Sequence, residues 1–250
     1  MRTEKPHRYV VRYNRRTRWF HTAFYLVTLI LLATGWWLRT GHDGDPSLLA
    51  RLADRPDVDL HRQAGWVQMG LVAAGITLGV RAAFRFGRES VRVNRGDGRW
   101  FRCWAIGALT GRFAPHRGHF DPGQRVANVA FVVTLGTLVV TGIGLTIVKT
   151  GPDFVWLVRV HRYATYALTA LVVGHVILAV GLLPGYRGAW RSMHFGGRTP
   201  ESTARRLWPG SVPTRTSRQG GAQPRERVRR PSPPPEQVTP VDETRVDSGK

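Results

Sequence analysis

The chain has 250 residues, a formal net charge of +21 and a single cysteine, Cys103. One cysteine excludes an internal disulfide framework and an iron–sulfur cluster held by cysteine thiolates. The mean hydropathy of −0.21 resembles that of a soluble protein. However, Arg-rich and Pro-rich segments lower this average, and the apolar residues are concentrated in four blocks.

The four apolar blocks predict four membrane-spanning helices. They cover residues 19–38, 65–80, 126–148 and 163–183. Three blocks reach the roughly 20 residues that a span needs, and Arg62 and Arg81 can snorkel to extend the second to about 61–84. No block alternates in the manner of a barrel strand. The predicted fold is therefore an all-α membrane protein, a four-transmembrane-helix bundle.

The distribution of charge predicts the orientation of this bundle. Arg and Lys outnumber Asp and Glu over residues 1–18, over 85–122 and from 184 onward, whereas Asp outnumbers Arg over 39–60. Basic segments that alternate with non-basic ones follow the positive-inside rule for four spans with both termini in the cytoplasm. Topology therefore explains the net charge better than nucleic-acid binding does. We expect a multi-pass membrane protein.

The first span follows a basic stretch but is not expected to be a cleaved signal peptide. Its apolar run is longer than the usual signal core, and no clean A-x-A cleavage pattern follows it. We therefore divide the chain into a basic cytoplasmic N-terminus, 1–18, a four-helix domain, 19–209, and a tail, 210–250. The tail is rich in Pro, Ser, Arg, Thr and Gly, so we predict it to be disordered.

Four histidines within or beside the apolar blocks indicate a function, because an ionisable side chain is costly at membrane depth. They are His21, His61, His161 and His175. His161 and His175 are 14 residues apart, which in one helix is about 21 Å of rise with nearly the same facing. With the N-terminus inside, His21 matches His175 in depth near the cytoplasm, and His61 matches His161 near the outer surface. The other histidines are expected on the surface or in loops.

Two imidazoles at each of two depths favour haem over other metals. Haem iron takes two axial ligands, so a bis-histidine site has no open position and serves one-electron transfer. Zinc would need three or four converging ligands. A packing role fits any one of these histidines but fits two matched pairs poorly. Arg62 and Arg162 directly follow the outer histidines, and each could pair with a haem propionate or simply snorkel.

Several stretches carry a resemblance to a known family. They are Arg18-Trp-Phe-His21, Leu60-His-Arg62, Gly123-Gln124, Val160-His-Arg162, Gly174-His175 and Pro184-Gly-Tyr-Arg-Gly188. The chain resembles the gamma (cytochrome b) subunit of bacterial respiratory formate dehydrogenase, within the wider group of di-haem cytochromes of nickel–iron hydrogenases, thiosulfate reductases and bacterial b561 proteins. The resemblance covers about residues 12–209, and its most specific element is the order and spacing of the four histidines.

This resemblance implies two b-type haems, with the four histidines as their ligands, and a quinone site beside the cytoplasmic haem. The quinone site would contain His175 and a segment that reads Asn-x-Gly-Gln in the family and Asp121-Pro122-Gly123-Gln124 here. In the family, an outer-side dehydrogenase with iron–sulfur clusters supplies the electrons that reduce quinone with cytoplasmic protons. This chain has no molybdenum, nickel or iron–sulfur motif, so the resemblance implies substrate chemistry in partner subunits.

Other interpretations stay open at this point. The chain could be a free-standing b561-type cytochrome that passes electrons to quinone, a quinol-oxidising subunit of a reductase, or a non-haem membrane anchor with incidental histidines. Asp121 and Pro122 could also simply begin the third span, as an N-cap residue and a first-turn proline.

Overall fold

A computed structural model of the chain describes residues 8–41 and 45–212, which are mainly helical. Residues 213–250, most of the predicted tail, lie outside the described residues. The helices are α1 Arg15–Thr40, α2 Leu48–Ala53, α3 Asp57–Leu78, α4 Val80–Ser90, α5 Asp97–Thr110, α6 Pro122–Ile147, α7 Gly151–Ala179, α8 Arg191–His194 and α9 Glu201–Leu207. The short strands are β1 Tyr9–Val11 and β2 Arg198–Pro200, and the 3-10 turns are Pro184–Tyr186 and Pro209–Ser211.

Three of these helices, α1, α6 and α7, are long and apolar enough to cross a membrane. Only 11%, 6% and 6% of their respective apolar windows are buried inside the protein. Few of their residues are therefore fully covered by protein, and lipid is the solvent that suits such apolar surfaces. The chain is an all-α membrane protein in its spanning part, with three candidate spans, or four if α3 and α4 together form one.

The predicted second span is interrupted by a bend. The axes of α3 and α4 are turned by 97° at Gly79. A Cβ atom at Gly79 would lie 2.7 Å from the carbonyl oxygen of Gly75, so a larger residue would require the backbone to shift. The helix that carries His61 consequently ends at Leu78 rather than near residue 84, and it begins earlier than predicted, at Asp57.

Two of the spanning helices begin at side-chain caps. The Asn14 side chain accepts a hydrogen bond from the backbone N–H of Thr17 at the start of α1. Asp121 accepts from the N–H of Gln124 at the start of α6, with a proline in the first turn. Both caps use one of the N–H groups that a helix N-terminus leaves without a partner.

The helix α7 is longer than the predicted fourth block. It begins at Gly151, whereas the apolar block begins at residue 163. Arg159 and Arg162 lower the hydropathy of the preceding turns, but arginine is a good helix former. His161 therefore lies well inside α7 rather than at the mouth of a span.

The long helices pack as two antiparallel hairpins, α1 with α3 and α6 with α7. α7 also contacts α1 directly. Trp36 Nε1 donates to the Thr169 hydroxyl at 3.0 Å, and Arg39 Nε donates to the Tyr166 hydroxyl at 3.0 Å. These bonds link the first hairpin to the second through α7.

Segments outside the spans pack together at one end of the bundle, and we call residues 8–14, 97–121 and 184–212 the end layer. β1 pairs with β2 in an antiparallel ladder, so the chain before α1 is joined to the chain after α7. The core of this layer consists of Ala108, Tyr186, Leu207 and Trp208. The N-terminal residues are thus part of a packed layer as well as a basic segment.

Candidate functional site

The structure brings the four histidines together in two pairs, the combinations expected from equal depth. In the first pair, the rings of His21 on α1 and His175 on α7 have centroids 6.4 Å apart and planes inclined by 50°. In the second pair, the rings of His61 on α3 and His161 on α7 have centroids 6.3 Å apart and planes inclined by 78°. Both pairs therefore join the first hairpin to the same helix of the second.

Each pair has the spacing that one iron with two axial imidazoles requires. An imidazole nitrogen binds a first-row metal at about 2 Å, so two such ligands across one ion place their ring centroids roughly 6 Å apart. The observed separations of 6.4 and 6.3 Å match this value. Among residues 8–41 and 45–212, no group of three or more His, Cys, Asp or Glu side chains is placed to hold a metal ion. Each histidine pair could hold one iron between its two imidazoles, and haem is a group whose iron takes two such ligands.

Two threonines hold the imidazoles of the second pair. Thr34 Oγ1 lies 2.8 Å from His61 Nδ1, and Thr141 Oγ1 lies 2.8 Å from His161 Nδ1. The Thr34 hydroxyl also donates its proton to the carbonyl oxygen of Ile30, at 2.8 Å. Its oxygen therefore accepts from the histidine Nδ1–H.

Thr141 repeats this arrangement on α6. Its hydroxyl donates to the carbonyl oxygen of Thr137 at 2.7 Å, so it too accepts from the ring N–H of His161. In this network Nδ1 carries the proton in both imidazoles of the second pair, which leaves each Nε2 with a lone pair. A lone pair on Nε2 is what a metal ligand needs.

Sequence reasoning missed both threonines. Each stands before a glycine, as Thr34-Gly35 and Thr141-Gly142, and a Cβ atom on Gly35 would lie 3.3 Å from His61 Cε1. The small residue lets the ring approach the neighbouring helix closely. The signal was available in the sequence, because the same Thr-Gly dipeptide occurs in two different apolar blocks.

The first pair has aromatic neighbours instead. The His21 ring lies 5.6 Å from Tyr25 and 6.4 Å from His194, and the His175 ring lies 5.8 Å from Phe131. His194 was expected on the surface or in a loop; its side chain is exposed, and the end layer also brings its ring close to α1. Within the described part of the chain, the buried Nδ1 of His21 has no hydrogen-bond partner.

The arginines that follow the second-pair histidines are differently placed. Arg62 forms an ion pair with Asp59 at 2.7 Å, and its side chain is half-exposed. Arg162 is exposed on α7. Neither side chain is buried, so both are long and exposed enough to reach the membrane surface by snorkelling, although Arg62 already pairs with Asp59.

The predicted quinone segment lies under the end layer. Asp121 is only 7% exposed and caps α6. A Cβ atom at Gly123 would lie 2.8 Å from the ring of Trp100 on α5. The Gln124 side-chain oxygen accepts a hydrogen bond from Trp208 Nε1 at 3.3 Å. Asp121 therefore serves as the N-cap of α6, and Gly123 and Gln124 are half-buried beside the end layer.

Burial changes the acid–base properties of this segment. It raises the pKa of the Asp121 carboxyl to about 6, although the backbone N–H of Gln124 and the guanidinium groups of Arg12 and Arg125 act in the opposite direction. Burial also raises the pKa of Tyr186, and the nearby Asp121 adds to that shift. The carboxyl of Asp121 can consequently gain and lose a proton near neutral pH.

The family model described as prokaryotic cytochrome b561 matches residues 12–196. This range contains all four paired histidines and both threonines. A comparison with curated proteins gives no match.

Proposed function

The chain belongs to the prokaryotic cytochrome b561 family, and we propose that it is a membrane electron-transfer subunit with two b-type haems. His21 and His175 would hold one haem, and His61 and His161 the other. The single observation that carries this proposal is that the imidazoles lie in two pairs, with ring centroids 6.4 and 6.3 Å apart. Haem supplies an iron that takes up and releases one electron at a time.

Four spans with both ends on one side of the membrane are part of the proposal. The ladder between β1 and β2 supports them, because it joins residues before the first span to residues after the last. An odd number of spans would put these segments on opposite sides. α3 then crosses the membrane in addition to α1, α6 and α7, which gives four spans. Its 22 residues correspond to about 33 Å of rise, enough for a crossing. The basic composition of the end layer favours the cytoplasm as its side.

Electrons would then pass between an outer-side donor near the second pair and quinone near the first. The two histidines of α7 are 14 residues apart, or about 21 Å along the helix, so the pairs lie at different depths. A formate dehydrogenase-like partner that carries iron–sulfur clusters and the substrate site is the donor that the sequence resemblance favours. A stable larger complex on co-purification supports this subunit role, whereas a haem-loaded protein that purifies alone favours a free-standing cytochrome.

Quinone exchange beside His175 would use Asp121, Gly123 and Gln124. Gln124 lies two helical turns, about 10 Å, from Phe131, which contacts His175. The Gln124 side-chain amide retains N–H groups that can donate to a quinone carbonyl, and the Asp121 carboxyl can deliver a proton. We expect Asp121→Ala or Gln124→Ala to slow quinone reduction while the haem content stays normal. Unchanged rates in both variants would place the quinone elsewhere.

The test of the haem proposal is a haem count. We expect a pyridine haemochrome assay on the folded, haem-supplied protein to give two b-type haems per chain. The haem should be released by acid–acetone extraction, because no C-x-x-C-H attachment motif is present. A haem content near zero in a correctly inserted protein would reject the proposal.

A further inference from the structure

The two histidine pairs differ in the hydrogen-bond partners of their imidazole Nδ1 atoms. In the second pair, both Nδ1 atoms lie 2.8 Å from a threonine hydroxyl. In the first pair, aromatic rings surround the imidazoles, and the buried His21 Nδ1 has no hydrogen-bond partner among the described residues. Both sites therefore consist of two histidines, but only the second pair has threonine hydroxyls bonded to its Nδ1 atoms among the described residues.

The threonines are oriented to accept, since each uses its own proton elsewhere. Thr34 donates to the carbonyl oxygen of Ile30, and Thr141 donates to that of Thr137, at 2.8 and 2.7 Å. Both are also well buried, with Thr34 at 0% and Thr141 at 3% exposure. A buried hydrogen bond of this kind is not weakened by competing water.

Such a bond changes the ligand as well as its orientation. An imidazole that donates its Nδ1–H to an acceptor becomes a more basic ligand through Nε2. A more basic ligand stabilises the more positive, oxidised iron, and hydrogen bonding around the ligands is one of the means by which a protein sets the potential of haem.

We propose that Thr34 and Thr141 are positioning residues that hold His61 and His161 as Nδ1–H tautomers and lower the reduction potential of the haem at the second pair. This inference rests on the proposed haem ligation and deepens it. The first pair, for which no such acceptor is found among residues 8–41 and 45–212, then holds an electron more strongly. One electron therefore moves downhill from the second pair to the first, with no bond made or broken.

The direction of electron flow follows from this difference. A donor at the second-pair end and an acceptor at the first-pair end fit the gradient. Electron flow from the first pair to the second would run against this difference in reduction potential. The same Thr-Gly dipeptide in α1 and α6 thus has a function beyond helix packing.

The test is a redox titration of the full-length, haem-loaded protein, followed through the haem absorption bands. His61→Ala and His21→Ala assign the two components. We expect Thr34→Val and Thr141→Val to raise the midpoint potential of the second-pair haem, most strongly together, and to leave the other haem unchanged. Thr34→Ser keeps the hydroxyl and should behave as wild type.

Thr137→Val is the matched control. Its hydroxyl bonds to the carbonyl oxygen of Val133, one turn before Thr141 on α6, and it touches neither pair. Unchanged midpoints in both Val variants with two haems per chain, or a shift in the first-pair haem, overturn the inference. Loss of the second-pair haem alone in Thr34→Val, with recovery in Thr34→Ser, supports it, and loss of both haems overturns it. Absence of haem from the wild-type protein rejects the proposed function itself, before any variant is compared.

Discussion

His175 differs from the other three paired histidines in its exposure. It is exposed on α7, whereas His21, His61 and His161 are half-buried. Its ring contacts include Phe131 on the neighbouring helix, and no hydrogen bond fixes its orientation within the described residues. At the scale of single residues, the first pair therefore contains the most exposed of the four imidazoles.

The pairs can be separated by single replacements. We expect His21→Ala and His175→Ala each to remove the same haem, so that one of two remains, and His61→Ala and His161→Ala each to remove the other. The reason is that a bis-histidine iron loses an axial ligand in each case. Low-temperature difference spectra identify the haem that stays. His119→Ala is the control, because that side chain is exposed and belongs to neither pair. Grouping of His21 with His61 would contradict the pairing.

Asp121 gives the protein a predictable pH dependence. Its pKa is raised to about 6 from 3.8, so the folded state disfavours the charged form. Asp121→Asn retains an N-cap and removes the charge. We expect the variant to be more stable than wild type by about 3 kcal/mol above pH 6, and the difference to shrink to zero as the pH falls from about 6 to below 4.

Thermal unfolding in detergent at several pH values measures this difference. Asp153→Asn is a suitable control, since that carboxyl is exposed in the first turn of α7. A stability difference that is independent of pH would show that the Asp121 carboxyl is not desolvated in the folded protein.

At the scale of elements, a buried ion pair fastens α5 to α6. Arg125 Nη2 lies 2.7 Å from Asp97 Oδ1, and the two side chains are 4% and 14% exposed. Arg125 also donates to the carbonyl oxygen of Arg92. The pair therefore links the start of a spanning helix to the end layer that covers it.

Breaking this pair should cost more than breaking a surface pair. We expect Arg125→Gln to lower stability by about 3 kcal/mol, because Asp97 is left buried without its charged partner. Arg205→Gln is the matched control: Arg205 pairs with Glu201 at the surface, with 53% of its side chain exposed, and its loss should cost below about 1 kcal/mol. Thermal unfolding of both variants measures this, and equal small losses would contradict the expectation.

At the scale of the whole molecule, the ladder between β1 and β2 constrains the topology. Tyr9–Val11 and Arg198–Pro200 can pair only if the segments before α1 and after α7 are on the same side of a membrane, which is the topology that we propose. We expect a fluorescent reporter that folds only in the cytoplasm to be active when fused to either end of the chain. A periplasmic reporter should be inactive at both ends. If the cytoplasmic reporter were active at one end of the chain and the periplasmic reporter at the other, the number of spans would be odd and the ladder between β1 and β2 could not form.

The tail is expected to be dispensable for haem binding. The sequence placed its start at residue 210, but Val212 is buried at 8% exposure and follows the turn Pro209–Ser211. Truncation should therefore come after Val212. Because residues 213–250 lack the apolar content to form a core, we expect two haems per chain and normal membrane insertion. Loss of haem from a stably inserted truncated protein would contradict this.

Local features of the sequence were enough to predict the apolar blocks, the helical class of the spans, and the four histidines as candidate ligands. Hydropathy, helical rise and the cost of a polar group in lipid are properties of one segment, so they can be recognised without knowledge of its neighbours. The positions of His161 and His175 on one face follow from helix geometry alone.

Only the tertiary structure decided the contacts between segments distant in the chain. Thr34 meets His61, Thr141 meets His161 and His194 returns to His21 because of how the helices are rotated and packed. The bend at Gly79 and the ladder between β1 and β2 likewise depend on close approaches that hydropathy does not describe. Helical periodicity specifies which residues share a face, whereas the partner that each face meets is set by the packing of the whole bundle.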